Sequence, residues 1–125
     1  CVHDDDMAAL RKQMEASDIW VFGTPVYWWG PTAQFKTFMD RWYQGPRELR
    51  QMFEGRPIIL AIPLEASDAC TARHVVGMFT DALAYVKADI VATLIATGVL
   101  EKGAVRARND YLTAARNAGW EAARK

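Results

Sequence analysis

A chain of 125 residues, 51% hydrophobic and 24% charged, has the composition of one ordinary globular domain and excludes a fibre, a disordered tail or a multidomain enzyme. Fifteen Lys and Arg balance fifteen Asp and Glu, which argues against nucleic acid and against an anionic membrane surface as partners, since both draw on excess positive charge. The apolar runs at 58–64 and 90–100 are shorter than the ~20 residues that span a bilayer. Two cysteines, Cys1 and Cys70, make no disulfide framework, so a reducing cytoplasm is the expected setting.

In chain order, Asp4, Asp5 and Asp6 place negative charge where a helix start favours it, and Met7, Leu10 and Met14 recur at helical spacing. This helix is expected to end near Ser17. Ile19-Trp20-Val21-Phe22 is a continuous apolar run, the pattern of a strand covered on both faces. Gly23-Thr24-Pro25 stops it. Phe35, Phe38, Met39 and Trp42 then form an i, i+3, i+4, i+7 stripe, with Pro31 suited to the start of that helix. Residues 44–56 read as a turn with a short helix, and Pro57–Pro63 as a second buried strand. Ser67 or Asp68 is placed to cap a helix carrying Val75, Phe79, Leu83 and Val86. Ile90–Thr97, rich in β-branched residues, predicts a third strand. Ala107–Lys125 predicts a closing helix with Tyr111, Ala115, Ala118 and Ala122 on one side.

Buried strands alternating with helices predict an α/β domain: a parallel sheet with right-handed crossovers and helices on both faces. Ligands of such folds sit outside the carboxyl ends of the strands, and the first such end here opens into an aromatic loop. A doubly wound sheet of three strands is small, and this one is entered by a helix, so an upstream portion is expected beyond these residues.

The sharpest element is that loop, Thr24-Pro25-Val26-Tyr27-Trp28-Trp29-Gly30-Pro31-Thr32, followed by Phe35-Lys36-Thr37-Phe38-Met39-Asp40-Arg41-Trp42. Aromatics just past a parallel strand offer faces to a planar ligand while backbone N–H groups meet its polar edge. An aromatic loop buried in the core or in a dimer interface reads equally well from the residues alone. Cys70 reads first as a packed small residue and second as a thiol activated near a helix N-terminus. Asp40-Arg41 reads as a structural or interface ion pair, and Lys36 as a solvated helix position. Cys1, His3 and Asp4 read as helix-entry charge rather than a metal site.

Asp5-Asp6-Met7, Ala16-Ser17-Asp18-Ile19, Gly23-Thr24-Pro25-Val26-Tyr27-Trp28 and Phe35-Lys36-Thr37-Phe38-Met39-Asp40-Arg41 together resemble the flavodoxin-like NAD(P)H-dependent FMN reductases, especially their iron–sulfur flavoprotein branch and its cluster-free relatives. The match runs from Cys1 to about Pro63. The resemblance implies a flavodoxin-like doubly wound parallel sheet of strand order 2-1-3-4-5. This chain would supply strands three to five with flanking helices, without the N-terminal βαβ portion and its phosphate-binding loop. It implies FMN as cofactor and NAD(P)H as co-substrate. It assigns Thr24, Pro25, Val26, Tyr27, Trp28 and Trp29 to the isoalloxazine, with backbone N–H groups at its pyrimidine edge. Leu64 and Glu65, from the loop after the next strand, would approach from the other side, without the glycines common there in relatives. Cys1 falls where relatives carry the last cysteine of a compact cluster; one thiolate is short of the four an iron–sulfur cluster takes, so none is expected on these residues.

The function expected from the resemblance is an FMN-dependent NAD(P)H oxidoreductase passing electrons to a quinone, a free flavin or another small-molecule acceptor, with the cofactor supplying the chemistry. No side chain is nominated as an acid or base. Two other readings stand beside it. One is a flavodoxin-type electron carrier without a nicotinamide site, told apart by whether NADH or NADPH bleaches the flavin. The other is a non-enzymatic binding module of the same topology. A phospho-receiver of that kind places an acceptor Asp at the end of its central strand, and Phe22-Gly23-Thr24-Pro25 has none. Trp28, Trp29, Trp42 and Tyr43 exceed what one loop and helix need for a core and predict a homodimer or higher homo-oligomer.

Overall fold

The computed structural model describes residues 5–43 and 46–124; the expectations placed on Cys1, His3 and Asp4 lie outside them. The elements run α1 (Met7–Glu15), β1 (Trp20–Gly23), α2 (Ala33–Asp40), α3 (Pro46–Phe53), β2 (Pro57–Pro63), α4 (Arg73–Tyr85), β3 (Asp89–Ala96) and α5 (Asn109–Ala122). Short 3₁₀ turns at Ala69–Ala72 and Ala104–Ala107 precede α4 and α5. The helix starts follow local chemistry: the Asp5 carboxylate accepts the Met7 N–H, Thr32 Oγ1 accepts the Phe35 N–H, and Asp68 accepts the Cys70 N–H. Among the described residues no helix is long and apolar enough to cross a membrane.

The sheet has the order β1-β2-β3 with both pairs parallel, so all three carboxyl ends emerge on one side. Trp20 lies opposite Ile58 and Gly23 opposite Ala61. Between β2 and β3 the register slips once: Ile58 faces Ile90, but Ile59 faces Ala92.

The main core lies on one face. Trp20, Phe22, Ile58, Leu60 and Ile62 of the sheet pack with Phe53 of α3 and with Val75, Phe79, Leu83 and Val86 on and just after α4. Each large apolar side chain so buried contributes roughly 1.5–3 kcal/mol. On the opposite face Ile59 meets Ala118 and Ala122 of α5, with Val91, Ala92 and Leu94 packed around them. Alanine at these α5 positions permits close approach of helix to sheet.

Four expectations need correction. The first strand is not covered on both faces: its burial alternates, and Val21 is 62% exposed. The reason is positional, because α5 packs over β3 and β2 and β1 forms the sheet edge. Trp42 is no surplus surface aromatic either. It is buried, stacked on Phe22 and packed against Phe38 and Phe53. Asp40 and Arg41 do not pair with each other: Asp40 meets Lys36 one turn earlier, while Arg41 reaches across to Asp5, tying α2 to the start of α1. Cys70, read first as packed, is exposed.

Candidate functional site

The carboxyl edge of the sheet is organised by three loops. After β1, Thr24 is 1% exposed. Its hydroxyl accepts the Thr32 N–H at 3.0 Å and donates to the Pro25 carbonyl at 3.0 Å. This one side chain joins both ends of the aromatic loop, so its role is to shape the loop rather than to touch a ligand. Thr24→Val keeps the volume and strands the Thr32 N–H. A loss of about 1–3 kcal/mol is expected, read by urea denaturation.

Between these ends the chain reverses tightly. Tyr27 N–H donates to the Gly30 carbonyl at 2.9 Å and Gly30 N–H returns a bond to the Tyr27 carbonyl at 3.0 Å. The two central residues, Trp28 and Trp29, have φ of 50° and 61°. That is the geometry of a type I′ turn, which normally selects Asn and Gly. Left-handed backbone at two bulky residues stores strain of the kind found at ligand sites. Trp28 stands 92% exposed at the tip, with its ring centroid 6.2 Å from that of Trp29.

After β2, Leu64 N–H donates to Ala96 and its carbonyl accepts from Val99, while Gly98 N–H bonds the Ala66 carbonyl. These bonds clamp the second loop to the third, which follows β3. Together the three loops enclose a cleft of about 420 Å³, within the range of small-molecule sites. Pro25, Val26 and Tyr27 line it from the first loop, Pro63, Leu64 and Glu65 from the second, and Val99, Leu100, Glu101, Gly103, Ala104 and Val105 from the third. The N–H groups of Val26 and Glu65 have no acceptor among the described residues, so both are available to a ligand's polar edge.

Of the residues expected at the site, Pro25, Val26, Tyr27, Leu64 and Glu65 therefore converge on the cleft. Thr24 lies beneath it, and Trp28 and Trp29 stand outside its lining. The third loop was not anticipated. Its signal was Gly98 and Gly103, both left-handed at φ 66° and 86°, on either side of Val99-Leu100-Glu101-Lys102, a stretch that no predicted element covered. Behind this loop, the Tyr111 hydroxyl on α5 bonds the N–H and Oγ1 of Thr97, both at 3.0 Å. Hydrogen bonding to the Thr97 hydroxyl, then to its N–H, lowers the Tyr111 pKa. No group of three His, Cys, Asp or Glu poised to hold a metal occurs among the described residues.

The cleft combines apolar side chains with two carboxylates, Glu65 and Glu101, and with unpartnered N–H groups at Val26 and Glu65. The family model described as NADPH-dependent FMN reductase matches residues 1–120. An iron–sulfur flavoprotein of Archaeoglobus fulgidus is 49% identical over 41 residues, 33% of this chain and 19% of that protein; the match thus spans about a fifth of the relative's length. Among solved structures, the Trp repressor binding protein from Bacillus subtilis superposes with a TM-score of 0.77 at 20% identity, covering 90% of this chain and 70% of that one. The general stress protein 14 of Treponema denticola, in complex with FMN, gives 0.67 at 23% identity, covering 98% and 75%. At such identities the structural likenesses establish the fold.

Proposed function

This chain belongs to the NADPH-dependent FMN reductase family, and from that membership we propose that it supplies the flavin-ring site of an FMN-dependent NAD(P)H oxidoreductase. The observation that carries the reading is the cleft itself: apolar walls on three loops, with the free N–H groups of Val26 and Glu65 among its lining residues. A bound flavin supplies the hydride-accepting ring. The chain's residues orient that ring. Tyr27 and Leu64 would hold it from two loops, the Val26 N–H would donate to it, and Val99 with Leu100 would keep water from it. The final acceptor is a quinone, a free flavin or another small molecule.

Two further features belong to this proposal. The edge strand β1, with Val21 open beside it, would receive the βαβ portion that carries the phosphate-binding loop. The exposed tip of Tyr27, Trp28 and Trp29 would be covered in a homodimer or higher homo-oligomer, which light scattering at micromolar concentration tests; a monomer there would count against it. The exposed thiol of Cys70 suits the reducing cytoplasm.

Tyr27→Ala tests the site. Tyr27 is 63% exposed, so apo-protein stability should change by no more than ~0.5 kcal/mol, as for other surface substitutions. Lost ring contact and lost burial should weaken flavin binding by roughly 1–3 kcal/mol, or about 5- to 150-fold. Apo melts run beside flavin fluorescence titrations separate the two effects. Unchanged affinity would remove Tyr27 from the site.

A further inference from the structure

The charge on the cleft has a consequence for which part of a flavin these loops recognise. Among the described residues, its lining includes two carboxylates, Glu65 and Glu101, and no lysine or arginine. Lys102 and Arg106 belong to the same loop as Glu101 but do not line the cleft, and Arg108 pairs with Asp110. At each helix start of this edge, where a phosphate would find oriented N–H groups, a side-chain oxygen of this chain is already present. Thr32 Oγ1 holds the Phe35 N–H at the start of α2. The Asp68 carboxylate holds the Cys70 N–H ahead of α4, and Asp110 sits in the first turn of α5.

We infer that this cleft is selective for uncharged planar rings and repels phosphate, so that residues 1–125 bind riboflavin at least as tightly as FMN. The inference rests on the flavin reading and adds a charge preference to it. The ring and its ribityl chain are common to both ligands, so any difference between them reports the phosphate alone. Like charges near a partly solvated cleft repel through water and are screened by salt.

The test is a fluorescence titration of the 125-residue chain with riboflavin and with FMN, at low and at high ionic strength. At about 20 mM salt, FMN should bind about 3- to 10-fold more weakly than riboflavin, and the gap should close toward about 0.5 M as screening shortens. The double variant Glu65→Gln/Glu101→Gln should raise FMN affinity relative to riboflavin at low salt. Tighter binding of FMN than of riboflavin would overturn the inference while leaving the ring site intact. A ratio that ignores both salt and the double variant would overturn it equally. Binding of neither ligand would sink the flavin reading itself, and the charge preference with it.

Discussion

Trp42→Ala should lower the stability of the chain by ~3–5 kcal/mol, the range for deleting a large buried aromatic. Trp42 is 5% exposed, and its ring centroid lies 5.3 Å from Phe22, 5.7 Å from Phe38 and 4.8 Å from Phe53. It therefore links α2, α3 and β1 through one side chain. Its indole N–H has no partner among the described residues, so Trp42→Phe forfeits no hydrogen bond there and should recover most of the loss. Urea denaturation of both variants checks this. If Trp42 instead served an interface, Trp42→Ala would change the oligomeric state and leave the denaturation midpoint of the monomer where it was.

The aromatic turn should respond with the opposite sign. Replacing Trp28 by Asn and Trp29 by Gly installs the residues a type I′ turn prefers. Left-handed backbone costs an ordinary residue roughly 1–2 kcal/mol, so the double variant should stabilise the apo protein by roughly 1–3 kcal/mol. Self-association should fall, because the exposed indoles are lost. A thermal melt that rises while self-association weakens marks a turn kept strained for function. A melt that falls would mean the two tryptophans pack into the fold, contrary to their exposure.

The sequence carried the layer order well, because hydrophobic spacing reports burial directly. The stripe Val75, Phe79, Leu83 and Val86 is buried as its spacing predicts, and Pro57–Pro63 forms the central strand. What spacing could not report was which face of β1 stays open. Ile19-Trp20-Val21-Phe22 reads alike whether a helix covers both faces or one, and only the path of α5 decides. The same limit applied to Trp42, whose packing depends on α3 arriving from outside its own helix. At the site, the first loop was legible from its aromatics and its resemblance to a known family. The turn conformation was not, since tryptophan is no turn former. The third loop escaped because Val99, Leu100 and Val105 are chemically unremarkable; they matter through the bonds that tie Gly98 and Val99 to Ala66 and Leu64.

The measurement that bears most directly on a flavin site at this sheet edge is the visible absorption spectrum of the purified complete protein, taken after addition of FMN and again after NADPH. A flavin spectrum that remains with the protein through gel filtration, and bleaches when NADPH is added under anaerobic conditions, is the expected result. A protein that stays colourless after FMN is added and filtered would contradict it.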